Sequence, residues 1–579
     1  QYNINRMGLL NIILLASSFG KINNCEKGIE LLLHISQLEN LDYYIKSAID
    51  LNLAELYARM GEFGEAAILT ESYKHLDYNQ YPDLAACLDT IHFALNYSSG
   101  FKHDLPLRTP WISKLSDTIS ADFLKVHRFN LAVAMANAGQ YDESLSLSQG
   151  IGNKGLSLQM ALYHELQLFD QIRDSFFLAR NYYMNEISNI FANYNEDLAY
   201  NHLEALEYHI SLCLGALVST EFKSSSYSIS PDELYEFYLN TKGISLEGSY
   251  ILRHYSDLTA LKSRKPVTVY ELRKHLSDDS ILLEYALVRT LKCSYYCVFI
   301  VSQNNVDYLT LGTENEINEL LDKYQDYLKN KSFVSENDLN NLKAILRRKL
   351  ILPIKKYLNQ TKRLIIAPVG NLYCLPFETL SLNSTSKLGD LYHITYINIG
   401  RELAIVQGNN INLRLSDSLI IGNPEVKYLP ELKFAEIESK TIGNLIKANV
   451  YTGSKASIDL LCSDKLNAPL LHIACHGFFG KSGNNLHIDS KDIKNPMSAC
   501  GLFLAGEYPL TASEISCLNL SDVKLCILSA CYSGLGVNKS NEGIFGLRRA
   551  FFLAGCQNTL ICLWSINDFA GMLFIMLFY

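Results

Sequence analysis

Up to about residue 220 the chain places its apolar residues at helical spacing, with almost no run that reads as a strand. From Pro266 onward, short apolar runs alternate with amphipathic ones. This change of period constrains the fold more than any other feature, because a pattern of 3.6 buries one face of a helix and a short continuous apolar run suits a buried strand. The strand-like runs are Ile281–Val288, Ser294–Val301, Arg363–Pro368, Ser418–Asn423, Ala468–His476, Lys524–Cys531 and Asn558–Trp564. Between them Ile317–Lys329, Asp338–Tyr357, Ala435–Lys447 and Gly543–Ala554 read as helices. Strands alternating with helices predict a three-layer α/β domain with a mainly parallel sheet. The expected boundaries are a helical region at 1–220, connecting helices at 221–265 opened by the Ser-rich break Lys223–Pro231, and the α/β domain at 266–579.

The helical region carries an internal repeat. Leu53-Ala-Glu-Leu-Tyr-Ala-Arg-Met-Gly-Glu-Phe-Gly-Glu-Ala66 matches Leu131-Ala-Val-Ala-Met-Ala-Asn-Ala-Gly-Gln-Tyr-Asp-Glu-Ser144 at its apolar, glycine, aromatic and small positions. Gly20, Gly61, Gly100 and Gly139 recur at intervals of 41, 39 and 39 residues. A unit of about 40 residues built of two helices around a glycine turn predicts a solenoid, in which each unit buries its apolar face against the next.

Composition narrows the function. With 579 residues, 48 % of them hydrophobic, the chain can build at least two full cores. A net charge of −9 with no basic stripe speaks against direct nucleic-acid binding. Eleven of the fourteen cysteines fall from Cys293 onward, mostly inside apolar runs and without zinc-ligand spacing; buried free thiols suit a reducing cytoplasm. No metal or cofactor is expected. Gly8–Ala16 has the apolar character of a signal-peptide core, yet its cleavage site is poorly formed and it fits a repeat helix. Phe569–Tyr579 is too short to span a bilayer, so no membrane association is expected. A start at Gln1 and an end inside a helical pattern read as a fragment of a longer protein.

Two runs point to chemistry: Leu470-Leu-His-Ile-Ala-Cys-His-Gly477 and Leu525-Cys-Ile-Leu-Ser-Ala-Cys-Tyr-Ser-Gly534. Each is a buried strand ending in a reactive side chain and a small-residue turn. A thiol near pH 7 is mostly protonated and needs an imidazole to take its proton and later pass it to a leaving amine. Rigid strand ends in an open α/β sheet hold such groups in place. Cys531 is therefore the candidate nucleophile and His476 the candidate base. His472 lies on the same strand face but in mid-strand, which suits a hydrogen-bonded core residue, and Cys475 points to the opposite face as core. Alone, Cys531 would read as a small buried hydrophobe; it is the pair that argues for catalysis.

His476 and Cys531, 55 residues apart with the histidine first, have the order and interval of the caspase-type cysteine peptidases. The chain as a whole resembles TPR-CHAT proteins, in which tetratricopeptide-like (TPR) helical repeats precede a CHAT domain, a caspase-like peptidase fold related to separase and the gingipains. The similarity runs through Arg363-Leu-Ile-Ile-Ala-Pro-Val-Gly-Asn-Leu-Tyr-Cys-Leu-Pro-Phe-Glu-Thr-Leu380, Leu470–Gly477, Leu528–Gly534, Asn541–Gly555 and Leu563–Asp568. It implies a Cys531–His476 dyad with an oxyanion hole formed by the backbone N–H groups of Gly477 and Cys531. It also places Asp568 in the region that lines the pocket for the residue before the cut, where a carboxylate would favour Arg or Lys. The competing role for Asp568, or for Asn567, is to cap the final helix. Glu542 is either a cap for the helix that follows it or a contact for substrate backbone.

The expected function is a regulated cytoplasmic cysteine endopeptidase. Its solenoid would bind a protein substrate or an activating protein or nucleoprotein partner, and in this family such enzymes often act in prokaryotic defence. The alternatives are a non-catalytic TPR scaffold with a vestigial CHAT domain, and acyl transfer or amide hydrolysis on small molecules.

Overall fold

In the computed structural model, the described residues are 9–13, 15–16, 25–38, 41–60, 62–73, 75–76, 80–81, 84–85, 87–88, 91–92, 128–129, 132–133, 135–137, 139–192, 196–254, 265–329, 336–383, 386–405, 414–462, 466–479, 496–531, 533–534, 536–539 and 542–579. The chain forms two compact units, Gln1–Ala179 and Arg180–Tyr579.

The first unit is helical over its described residues. Helices α1 (Cys25–Ser36), α2 (Tyr43–Met60) and α3 (Phe63–Glu71) share one apolar cluster through Leu32, Ile49, Ala54, Leu56 and Ala66. Helix α4 (Tyr141–Gln149) is the counterpart of α3 in the second copy of the repeat. The two copies repeat each other bond for bond at an offset of 78 residues. Glu62 N–H donates to Tyr57 O as Gln140 N–H does to Met135 O, and Ala66 N–H to Glu62 O as Ser144 N–H does to Gln140 O. The small side chains at the matched positions, Ala66 and Ser144, are fully buried, so nothing larger fits between the paired helices there. Gly139 takes a φ of 79°, the left-handed turn that ends a helix. Its sequence counterparts Gly20, Gly61 and Gly100 lie outside the described residues.

The second unit opens with helices α5 (Glu196–Leu217), α6 (Pro231–Thr241) and α7 (Ile244–His254). Its strands are β1 (Ser280–Arg289), β2 (Ser294–Val301), β3 (Val306–Thr313), β4 (Arg363–Ala367), β5 (His393–Tyr396), β6 (Leu419–Pro424), β7 (Asn449–Gly453), β8 (Leu470–Ala474), β9 (Gly477–Phe479), β10 (Cys500–Leu502), β11 (Leu510–Thr511), β12 (Leu525–Ser529), β13 (Gly536–Lys539), β14 (Gly543–Gly546) and β15 (Thr559–Leu560). They make two five-stranded sheets rather than one. The first, in the order β3-β2-β1-β4-β5, is mixed, since β1, β2 and β3 pair antiparallel while β1, β4 and β5 run parallel. The second, β15-β12-β8-β6-β7, is parallel throughout.

Helices α5 and α6 cover one face of the first sheet, so the segment after residue 220 packs on the α/β core. Gly215 of α5 lies so close to β1 that a Cβ there would meet Arg289 O at 1.7 Å. Charge is buried beneath this layer and matched within it. Lys242 Nζ lies 3.3 Å from Glu284 Oε1, and Arg401 Nη2 lies 2.9 Å from Glu247 Oε2. Glu284 also accepts from Tyr235 Oη at 2.6 Å and Gly400 N at 2.9 Å. The other face packs against Ile317, Leu321, Tyr324, Leu346 and Leu350.

One expected helix is corrected. Residues 543–546 form strand β14, and helix α9 (Leu547–Leu553) begins only after it. Gly543 at a φ of 88° and the pairing of Ile544 with Asn538 and of Phe545 with Val537 hold the segment extended.

Candidate active site

β8 and β12 are parallel neighbours in strict register, from Leu470 opposite Leu525 to Ala474 opposite Ser529. His476 and Cys531 each lie two residues past the last matched pair, so the register delivers both at the same level of one sheet edge. In a parallel sheet the C-terminal strand ends are where the backbone opens toward a ligand crevice. Both side chains are half-buried and line one cavity of about 1090 Å³. That cavity lies between the outer strands of the two sheets, with Ile394–Tyr396 of β5 on one side and β15 on the other.

His476 Nε2 is 2.9 Å from Pro430 O. A carbonyl only accepts, so Nε2 carries the proton and Nδ1 of the neutral ring is the free base. Cys531 Sγ contacts Ser565 Oγ at 3.4 Å and donates to Ile566 O at 3.7 Å, and no hydrogen bond joins it to His476 among the described residues. Gly477 is a glycine for a packing reason: a Cβ there would meet Cys531 O at 2.5 Å. The close passage of the two strand ends requires it.

The neighbouring candidates separate cleanly. His472 is fully buried, with Nε2 at 3.0 Å from Glu438 Oε1 and Nδ1 at 3.3 Å from Tyr579 Oη. Cys475 packs into the opposite core with Leu471 and Ile473, and burial pushes its thiol up to about 12. Burial likewise pushes the Cys562 thiol, on the cavity wall, up to about 11.

Asp568 lines the cavity with Cys531 and is the first residue of helix α10 (Asp568–Phe578). The cap of that helix is Asn567, whose side chain accepts from Ala570 N at 3.3 Å. Asp568 Oδ2 instead accepts from Phe434 N at 3.1 Å, in the first turn of helix α8 (Lys433–Ile446), which has no side-chain cap of its own. Glu542 lies elsewhere. Its carboxylate is buried and accepts from Ile244 N and Ser245 N at 3.0 Å each, and from the Ser245 hydroxyl, closing the start of α7. It therefore caps neither its own helix nor a substrate backbone; the favourable placement of a carboxylate at a helix start explains the geometry.

Sequence reasoning missed Pro430, which acts through a backbone carbonyl, and Ser565 and Ile566 around the sulfur. No side-chain pattern announces a carbonyl role.

Residues 342–579 match the CHAT domain family. The chain is also similar to tetratricopeptide repeat protein 28 of Mus musculus, at 25 % identity, and of Homo sapiens, at 24 %. Each similarity takes in 38 % of this chain, and the chain spans only about a tenth of the length of these relatives.

Proposed function

This is a TPR-CHAT protein, its helical region followed by an α/β caspase-like domain, and on that premise we propose that it is a regulated cysteine endopeptidase. One observation carries the reading: the matched register of β8 and β12 sends His476 and Cys531 into one cavity, with the imidazole proton held on Nε2 by Pro430 O. Nδ1 of His476 takes the Sγ proton, and the thiolate attacks the peptide carbonyl carbon. The tetrahedral oxyanion is held by the N–H groups of Cys531 and Gly477. The imidazolium then returns its proton to the leaving amine, and a water activated by the same ring hydrolyses the thioester. Among the described residues the Cys531 amide has no backbone partner, which leaves it available for that oxyanion. Asp568 on the cavity wall favours a basic residue before the cut, provided its carboxylate exchanges the Phe434 amide for the substrate.

The sulfur rests against Ser565 and Ile566 rather than the imidazole, which suits an enzyme held idle until a partner shifts it. A cytoplasmic endopeptidase without such restraint would be toxic. The helical repeats are the surface for that partner, a protein or nucleoprotein, and prokaryotic defence is a role that fits such control.

The test is covalent. Cys462 and Cys517 are exposed and will also alkylate, so both are first replaced by Ser. In that background a peptidyl electrophile should label the wild-type site and leave Cys531→Ala unmodified. With an activating partner present, cleavage of a peptide library should vanish in the same variant. Equal cleavage with and without Cys531 would sink the peptidase reading and leave a non-catalytic scaffold.

A further inference from the structure

The two arginines that open helix α9 have opposite circumstances. Arg549 is buried and fully engaged, donating to Glu542 O at 3.1 Å and Ser245 Oγ at 2.8 Å, with its guanidinium 4.0 Å from the Phe545 ring centre. Arg548 is half-exposed and lines the cavity that holds Cys531. Its guanidinium carbon lies 5.6 Å from the ring centre of Tyr373 and 5.9 Å from that of Tyr396. Its Nη2 is buried without a hydrogen-bond partner.

The acidic groups nearby are already engaged. Glu402 is buried and bonded to Asn398 N and Nδ2, and Glu378 accepts from Tyr396 Oη at 2.7 Å. They temper the charge of Arg548 without reaching its donors. A buried donor left unmet costs stability, so Nη2 of Arg548 is not a stabilising device in the free protein. Two tyrosine rings nonetheless hold its plane in place by cation–π attraction. A planar cation, positioned in advance and short of an acceptor, has the form of a carboxylate receptor, because the fork of N–H groups matches two carboxylate oxygens at once.

We propose that Arg548, held by Tyr373 and Tyr396, is a carboxylate-binding subsite of the cleft and selects peptides that present an acidic group there. This rests on the peptidase reading for its ligand class. It adds a cationic wall to a cavity that also bears Asp568, so the favoured peptide carries charges of both signs. The carboxylate belongs to an Asp or Glu side chain or to a peptide C-terminus.

The probe is a pooled library of fluorescein-labelled nonapeptides, with Asp/Glu or Asn/Gln fixed at each position in turn, made with free and with amidated C-termini. Binding to full-length Cys531→Ala protein is read by fluorescence polarisation. At one position, or at the free C-terminus, the acid should bind about tenfold more tightly than its amide counterpart, the scale of a charge-assisted hydrogen bond. Adding R548Q should reduce that preference to about twofold or less, while R548K should keep part of it as a point charge. Preference among the amidated pools assigns a side chain; preference confined to the free acids assigns a chain end. No acid preference anywhere, or one unchanged in R548Q, overturns the proposal. Thermal unfolding checks that R548Q is folded, and R548K supplies the comparison where it is not. Failure of the wild-type protein to cut peptides with an activating partner present would count against the peptidase reading and leave this binding result standing.

Discussion

The two five-stranded sheets share a unit and a strand number, yet they treat polar groups in opposite ways. In the first sheet, charge sits deep among the strands and covering helices and is matched on the spot, as with Lys242 and Glu284, both nearly fully buried. In the second, the polar groups that matter are carried past the strand ends and left half-open, as with His476 and its single carbonyl partner. The difference follows from pairing. Antiparallel β2 and β3 close one side of the first sheet, whereas the all-parallel second sheet sends every strand's C-terminal end out on the same side. Reactive groups accumulate where the backbone ends together, and structural charge accumulates where it does not.

The sharpest way to break this contrast is to remove one group from each sheet. Lys242→Ala leaves Glu284 buried without its cation and should cost about 3–5 kcal/mol. His476→Ala removes a half-exposed ring with one hydrogen bond and should change stability by less than about 1 kcal/mol, while lowering turnover of the activated protein by orders of magnitude. Denaturant midpoints of the two variants measure the first pair of effects. Comparable losses from both would erase the distinction between the sheets.

A second comparison lies within the second sheet itself. His472 is two repeats of the pleat before His476, yet it is bonded to Glu438 and Tyr579. His472→Ala leaves the buried Glu438 carboxylate without its partner and should cost about 2–3 kcal/mol, with peptide turnover retained. Should His472→Ala abolish turnover in protein that remains folded, position along the strand would not be what separates structural from reactive histidines here.

The same contrast decides what was legible in the sequence. Strands β1, β2, β4, β6, β8 and β12 stand out as apolar runs because they are interior strands buried on both faces. Of the strands in the two five-stranded sheets, those that escaped, β3, β5 and β7, are all outer strands. His-Ile-Thr-Tyr of β5 and Asn-Val-Tyr-Thr-Gly of β7 are half-exposed and carry polar residues, so they resemble loops. The fourth outer strand, β15, was expected across Asn558–Trp564 but pairs only at Thr559–Leu560. The order of His476 and Cys531 was readable because each ends an interior strand. Glu542 was not, since its partners Ile244 and Ser245 lie nearly 300 residues away and are backbone amides. The repeat was readable because Ala66 and Ser144 fill equivalent tight places, and local packing of that kind is written in side-chain size.

The smallest effect expected is a pH dependence at the boundary between the two sheets. Glu402 lines the cavity but belongs to the buried polar layer of the first sheet. Burial pushes its carboxyl up to about 6, against hydrogen bonds from Asn398 and the charge of Arg548, which favour the ionised form. A carboxyl raised in the fold binds its proton more tightly there than in the unfolded chain, so its contribution favours folding at low pH and fades as pH rises from about 4.5 to about 6. The shift corresponds to about 2 kcal/mol. Burial holds His209 down at about 4, and its slope has the opposite sign, because it must gain a proton in a buried place as pH falls. Wild-type stability alone therefore mixes the two. The difference between wild type and Glu402→Gln isolates the carboxyl: relative to the glutamine variant, wild type should lose about 2 kcal/mol between about pH 3.5 and about pH 7 and stay level above that. A flat difference across that range would mean that Glu402 ionises as freely as an exposed carboxylate, and the cavity wall it forms would then belong with the open strand ends of the second sheet.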